Sequence, residues 1–195
     1  MTRQTASPLV PLSLAAFARS AREIARMFFE GEGDLSPEYQ RGSVWSEDQR
    51  IGLVKSWLMG LPVPAVVVND RIFGPWAGGG PNGTPEGGFC YAVIDGKQRI
   101  ETAIAWFESD LAVPASWFPA EDVEETVETK DGEYVKYSGL SRACQRFCAT
   151  RFQLPTVEAQ LANVQEEAEM YLLLNGSGVP QEETDMLNAA HVAGM

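Results

Sequence analysis

Histidine and cysteine are scarce in this chain of 195 residues. The single histidine, His191, lies close to the C-terminal end, and the three cysteines are Cys90, Cys144 and Cys148. An odd number of cysteines does not suggest a disulfide framework, and Cys144 and Cys148 lack the further ligands of a zinc site. We therefore expect three reduced, structural thiols.

Long apolar runs are also missing. No segment approaches the roughly 18 consecutive apolar residues of a transmembrane helix, and the N-terminus lacks the uninterrupted apolar core of a signal peptide. Apolar residues make up 45% of the chain and charged residues 22%, as is usual in soluble globular proteins. We expect a cytoplasmic protein without a membrane partner, with residues 1–11 as a flexible tail and residues 12–195 as one domain.

Basic residues are outnumbered by acidic ones, 15 to 27, which gives a formal net charge of −12. Such a surface repels duplex DNA at long range, so general phosphate binding by the whole surface is not expected. A local basic pocket is still compatible with this charge, because salt screens short-range and partly buried interactions only weakly. The composition therefore leaves contact with DNA open and directs attention to local clusters of basic residues.

Apolar periodicities predict an α+β fold. The best marked helix follows Ser46, which forms a capping box with Gln49, and this helix ends before Gly60. Ser13 is predicted to cap an earlier helix over residues 14–30. Strands are predicted over residues 65–68, 90–94 and 154–161, a hairpin over 127–137, and further helices over 97–109, 141–150, 163–174 and 181–193.

A loop rich in glycine and proline occupies residues 71–88. Its glycines suggest a phosphate-binding loop, but it lacks the Gly-Lys-Ser/Thr ending and the strand-to-helix transition of such loops. We therefore favour a flexible connection between the strands at residues 65–68 and 90–94. The length of this connection is also compatible with a lid.

The chain is organised around residues 91–100, where an apolar strand passes through Asp95-Gly96 directly into a helix. The first amides of a helix carry partial positive charge, and Gly96 lets a ligand approach the backbone closely. Lys97 and Arg99 add two cations at this helix start, which favours a phosphate site. Taken alone, the pattern is more typical of a turn with solvated charges than of a phosphate site; the second basic motif, Tyr39-Gln40-Arg41, favours the phosphate interpretation.

Carboxylates are concentrated in residues 121–133. The glutamates of this stretch that are candidate metal ligands are Glu121, Glu124, Glu125 and Glu128. Most runs of this kind are solvated faces, so we favour that interpretation over a metal site. The same stretch is also a candidate surface for a partner whose identity the sequence does not give.

Five short motifs lie along the chain in the order typical of a known family: Tyr39-Gln40-Arg41, Val44-Trp45-Ser46, Gly60-Leu61-Pro62-Val63-Pro64, Ile94-Asp95-Gly96-Lys97-Gln98-Arg99 and Leu174-Asn175-Gly176-Ser177-Gly178. Together they resemble the N-terminal domain of GmrSD-type restriction enzymes, a branch of the ParB/sulfiredoxin superfamily. The resemblance covers about residues 12–190. It implies a small mixed sheet surrounded by helices, with a helical C-terminal part.

The resemblance also implies a nucleotide site. In this family an Asp-Gly-Gln-Gln-Arg motif supports NTP binding and hydrolysis, and here Lys97 replaces the first glutamine. By this analogy Asp95 and Arg99 are the catalytic residues, with Asp95 holding Mg²⁺ or orienting the attacking nucleophile. The residues that the analogy places at the nucleotide and its phosphates are Tyr39, Gln40, Arg41, Gly96, Lys97, Gln98, Asn175 and Ser177.

Three functions are compatible with the resemblance. We favour Mg²⁺-dependent NTP hydrolysis in a bacterial or phage restriction, defence or DNA-modification system. The alternatives are a non-catalytic module that senses nucleotide, and a phosphotransferase acting on a small molecule or a modified DNA base, because the superfamily includes kinases. Many members continue into a His-Asn-His nuclease domain; with one histidine this chain lacks that motif, so we expect a separate effector protein and favour NTP hydrolysis over direct DNA cleavage.

Overall fold

The computed structural model describes residues 8–9, 11–40, 45–73, 75–76, 88–175 and 192. Five α-helices and eight β-strands lie in this part of the chain. In chain order they are β1 (Leu14–Phe17), α1 (Ala21–Phe29), β2 (Gly33–Asp34), α2 (Glu47–Leu58), β3 (Val66–Asp70), β4 (Tyr91–Asp95), α3 (Lys97–Phe107), β5 (Ala112–Pro114), β6 (Val127–Thr129), β7 (Gly132–Lys136), α4 (Arg142–Arg151), β8 (Thr156–Ala159) and α5 (Val164–Asn175).

A mixed five-stranded sheet, in the order β1-β8-β3-β4-β2, forms the centre of the fold. β8 runs parallel to β3 and antiparallel to β1, whereas β4 runs antiparallel to β3 and parallel to β2. A second, antiparallel sheet has the order β5-β7-β6. This architecture confirms the predicted α+β class, with a small mixed sheet surrounded by helices.

The two faces of the central sheet bury separate apolar clusters, because side chains alternate along each strand. Val66, Val68 and Val93 belong to the larger cluster, which they share with residues of α1, α2, α3 and α4. Ile94 on the next position of β4 belongs to the smaller cluster, which it shares with Tyr39 and residues of α5. Strand β4 is therefore held on both faces, and its C-terminal end is fixed in position.

The predicted helix over residues 14–30 is wrong in its first part. Residues 14–17 form β1, which pairs with β8 from Leu14↔Ala159 to Phe17↔Thr156. The helix begins only at Ala21, and its cap is Ser20, whose Oγ accepts a hydrogen bond from the Glu23 amide, rather than Ser13. Residues 14–17 have no strong strand propensity, so tertiary pairing with β8 overrides the local helical pattern.

The other predicted elements within the described residues are confirmed, with small shifts at their ends. The capping box of Ser46 and Gln49 is present at the start of α2, and Gly60 follows its end with φ of +68°. The predicted helix over residues 181–193 and most of the predicted tail and glycine-rich loop lie outside the described residues. None of the described helices combines the length and the apolar character needed to cross a bilayer.

Candidate functional site

The turn between β4 and α3 has the geometry that the sequence predicts. Gly96 is the N-cap of α3 with φ of +92°, and no side chain caps the helix. The first turn of α3 contains Lys97 and Arg99 and no acidic residue. The positive end of the helix dipole and two side-chain cations therefore lie at the end of β4, beside the carboxylate of Asp95.

Only glycine fits at position 96. A Cβ atom there would lie 2.5 Å from Cγ1 of Val66 and 2.8 Å from Nη2 of Arg99. The positive φ is itself unfavourable for other residues. The turn therefore brings the backbone close to both β3 and the guanidinium group of Arg99.

Arg99 and Asp95 form an ion pair across this turn. Nη2 of Arg99 donates to Oδ2 of Asp95 at 2.7 Å and to the carbonyl of Ala65 at 3.1 Å. The side chain of Asp95 is 35% exposed and that of Arg99 16% exposed. Nε of Arg99 is buried and has no hydrogen-bond partner among the described residues. Arg99 thus orients the carboxylate of Asp95 and retains an unused donor.

The other residues of the Asp-Gly-Lys-Gln-Arg segment contact the chain on both sides of the Tyr-Gln-Arg motif. Nζ of Lys97 donates to Oγ of Ser36 at 3.1 Å, and it lies 3.9 Å from Oε1 of Glu101. Oε1 of Gln98 accepts a hydrogen bond from the amide of Trp45 at 2.9 Å. The side chains of Lys97 and Gln98 therefore connect the helix start to Ser36, three residues before Tyr39, and to Trp45, four residues after Arg41.

Tyr39 and Gln40 lie against the last residues of β4. The hydroxyl of Tyr39 donates to the carbonyl of Val93 at 3.1 Å, and Nε2 of Gln40 lies 3.4 Å from the carbonyl of Ile94. Burial raises the pKa of Tyr39 well above its usual value, and the negative charge of Glu167 raises it further. Oε1 of Gln40 is buried without a partner among the described residues. The two upstream residues thus reach the same strand end as Asp95.

Comparison with known proteins identifies the family. Residues 24–192 match the family model described as GmrSD restriction endonuclease, N-terminal domain. The chain belongs to the GmrSD N-terminal domain family. Membership places this GmrSD N-terminal domain in the context of DNA restriction and defence. No curated protein and no solved structure is significantly similar to the chain.

Three further predicted site residues of the GmrSD N-terminal domain have different outcomes. Arg41 and Ser177 lie outside the described residues. Asn175 is the last residue of α5, and its Nδ2 donates to the carbonyl of Tyr171 at 2.9 Å. The Tyr171 ring lies 5.8 Å from that of Tyr39, centroid to centroid. Helix α5 therefore packs beside Tyr39, with Asn175 one turn beyond this contact.

Sequence reasoning missed a buried polar network behind Tyr39. Arg71 forms a bidentate ion pair with Glu167, with distances of 2.8 Å from Nε to Oε1 and 2.6 Å from Nη2 to Oε2. Nδ2 of Asn69 donates to the same Oε1 at 2.8 Å, and Glu167 is completely buried. Glu167 and Arg71 are 96 residues apart in the chain. No local pattern could have revealed this pair, because each residue alone is typical of a helix or a loop.

Few groups in the described part of the chain are placed to bind a divalent cation. It contains no group of three or more His, Cys, Asp or Glu residues that could surround a metal ion. Magnesium in nucleotide sites is commonly held by one or two carboxylates together with phosphate oxygens and water. Asp95 fits the role of a single protein ligand, since its carboxylate is partly exposed at the positive helix start.

Proposed function

We propose that this domain binds a nucleoside triphosphate at the turn between β4 and α3 and hydrolyses it in the presence of Mg²⁺. The observation that carries the proposal is the start of α3, where Gly96 caps the helix without a side chain and Lys97 and Arg99 lie in the first turn. Helix starts of this kind bind phosphate through backbone amides and the helix dipole. No acidic residue of the first turn opposes an anion.

The side chains divide into phosphate ligands and one carboxylate. Lys97 provides a cation near the helix start, and the buried Nε of Arg99 is a donor that lacks an acceptor among the described residues. A planar guanidinium can contact carboxylate and phosphate together, and the Arg99 side chain is 16% exposed for such a contact. Arg41 is assigned to the same phosphates by its motif, and Gln98 accepts a hydrogen bond from the amide of Trp45, four residues further along the chain.

In the reaction, water attacks the γ-phosphorus, the bond from the γ-phosphorus to its bridging oxygen breaks, and NDP and inorganic phosphate are released. Asp95 would hold Mg²⁺, which neutralises phosphate charge when it is bound. Arg99 keeps the Asp95 carboxylate oriented through the 2.7 Å contact. Catalysis of phosphoryl transfer rests chiefly on such positioning and charge stabilisation.

A second candidate, nucleotide sensing without hydrolysis, is favoured by the same ion pair. Arg99 already neutralises Asp95, and it also donates to the carbonyl of Ala65. Such a site can bind a nucleotide without hydrolysing it, and the bound nucleotide then orders the residues around it. The two candidates differ in one observable, the release of inorganic phosphate.

Phosphate release by the Asp95→Asn variant is the test of hydrolysis. Asparagine can still accept the hydrogen bond from Arg99, so we expect NTP affinity to change by less than about fivefold while the rate of phosphate release falls about 100-fold. The matched control is Glu108→Gln, which makes the same change from carboxylate to carboxamide at an exposed residue at the other end of α3. Both variants are assayed with ATP, GTP and CTP.

Equal rates in Asp95→Asn and wild type would contradict the catalytic role of Asp95. Tight binding by the wild type with no phosphate release would instead support the sensing function.

A further inference from the structure

Two adjoining clefts lie on the antiparallel sheet and α4, away from the β4 to α3 turn. The larger cleft has a volume of about 840 Å³ and lies between residues 114–126 and the hairpin of β6 and β7. The smaller has a volume of about 460 Å³ and lies between that segment and α4. Trp117 and Phe118 line both clefts and so form their common wall. We name the larger one the acidic cleft and the smaller one the apolar cleft.

The acidic cleft combines carboxylates with aromatic rings. Its lining includes Glu124, Asp131 and Glu133, together with the rings of Trp117 and Tyr134, and contains no lysine or arginine. The hydroxyl of Tyr134 donates to Oδ2 of Asp131 at 2.9 Å, which holds that carboxylate at the edge of the ring. Carboxylates beside aromatic faces form a favourable environment for ammonium and guanidinium groups.

The negative charge of this region is not neutralised within the described part of the chain. Residues 121–133 include seven carboxylates and one lysine, Lys130. None of the ion pairs in the described residues involves any of these carboxylates. The fold already places one cation on the shared wall, because Nζ of Lys55 lies 5.5 Å from the centroid of the Trp117 ring.

The apolar cleft offers a different surface directly beside the carboxylates. Leu58, Pro119, Ala143 and Phe147 are among its lining residues. Phe147 is 49% exposed although it is a large aromatic residue on α4. Exposed apolar side chains that cluster around a cleft, rather than standing singly, are typical of surfaces that bind another molecule.

We propose that the two clefts together bind a basic segment of a partner protein. Lysine or arginine side chains of that segment lie in the acidic cleft against Glu124, Asp131 and Glu133, and an apolar side chain next to them enters the apolar cleft beside Phe147. Charge complementarity selects a basic partner over an acidic or neutral one. A peptide fits better than a single small cation, because one occupant must cover both a charged and an apolar cleft that share a wall.

This inference is independent of the nucleotide site. The lining of the two clefts includes none of residues 95–99. Substitutions in the clefts are therefore expected to leave NTP binding unchanged, and failure of either proposal does not affect the other.

The test uses a fluorescein-labelled peptide of twelve residues that contains four arginines and two adjacent leucines. Its affinity for the full chain is measured by fluorescence anisotropy at about 0.15 M salt. The test variant removes three carboxylates of the acidic cleft: Glu124→Gln, Asp131→Asn and Glu133→Gln. The control variant removes three exposed carboxylates outside both clefts: Glu30→Gln, Glu108→Gln and Glu169→Gln. Both variants have the same net charge, so they separate binding at the cleft from general attraction to an acidic protein.

We expect the test variant to bind the peptide about tenfold more weakly than wild type, and the control variant to bind within about twofold of wild type. Phe147→Ala, an exposed substitution on α4, is expected to weaken binding about fivefold even at about 0.5 M salt, where surface charge is screened.

Equal weakening in the test and control variants would overturn the proposal, since the attraction would then be unspecific. Binding of spermine as tightly as the peptide would also overturn it, in favour of a small-cation site. A dimer of the chain alone that dissociates in the test variant during sedimentation would show that a second copy occupies the clefts instead of a partner.

Discussion

Replacing Gly96 by alanine is expected to lower the free energy of unfolding by about 2–5 kcal/mol, the sum of an unfavourable positive φ and overpacking. The new Cβ would lie 2.5 Å from Cγ1 of Val66, which is completely buried in β3 and has a branched side chain without room to rotate. It would also displace the guanidinium of Arg99 from Asp95. The measurement is equilibrium unfolding in urea, followed by circular dichroism.

Gly60→Ala is the matched control for this substitution. Gly60 also has a positive φ, +68°, but a Cβ atom there meets nothing within 4 Å. In the control variant only the unfavourable φ of alanine lowers the free energy of unfolding, by about 1 kcal/mol. Equal losses of stability in the two variants would contradict the close approach of β3 to the turn. A smaller loss in Gly96→Ala than in Gly60→Ala would contradict the position of Val66.

Replacing Arg71 by methionine is expected to cost about 3–5 kcal/mol of stability, because it leaves the carboxylate of Glu167 buried without its ionic partner. Glu167 is completely buried, and Arg71 supplies two of the three short hydrogen bonds to it, the third coming from Asn69. This network connects α5 to the end of β3, next to Tyr39. The loss is measured as the shift of the urea midpoint at constant slope.

Two comparisons make this prediction specific. Arg26→Met removes an exposed ion pair with Glu30 by the same chemical change, and it is expected to cost less than about 0.5 kcal/mol. The double variant Arg71→Met with Glu167→Leu is expected to be more stable than Arg71→Met alone, because no buried charge then remains unpaired. If Arg71→Met costs no more than Arg26→Met, the pair is not buried as described.

Local signals predict the elements around the site well. The capping box at Ser46 and Gln49 and the passage of an apolar strand through Asp95-Gly96 into a helix depend on neighbouring residues, and both are present. The resemblance to the family also implies that Tyr39 and Gln40 lie near Asp95. Their contacts with the carbonyls of Val93 and Ile94 agree with that expectation.

Features that depend on distant partners escape such reasoning. Residues 14–17 form a strand only because they pair with β8, which lies more than a hundred residues later in the chain. The pairing of Arg71 with Glu167 likewise requires the packing of α5 on the sheet. The structure also gives Arg99 a further role, since it pairs with Asp95 and the carbonyl of Ala65, whereas the motif alone assigns it to catalysis at the phosphates.

The most direct test of nucleotide binding at this turn is isothermal titration of the full chain with ATP, GTP and CTP, with and without Mg²⁺. Wild type is compared with Arg99→Ala and with a control, Arg22→Ala, which removes an exposed arginine of α1. Arg99→Ala loses its hydrogen bonds to Asp95 and Ala65, so a cost of about 1–3 kcal/mol in stability is expected, and circular dichroism verifies that the variant is folded.

We predict that at least one nucleotide binds wild type and Arg22→Ala alike, and that its binding to folded Arg99→Ala is lost. Wild-type affinity in Arg99→Ala, or no binding of any of the three nucleotides to wild type, would contradict a phosphate site at the start of α3.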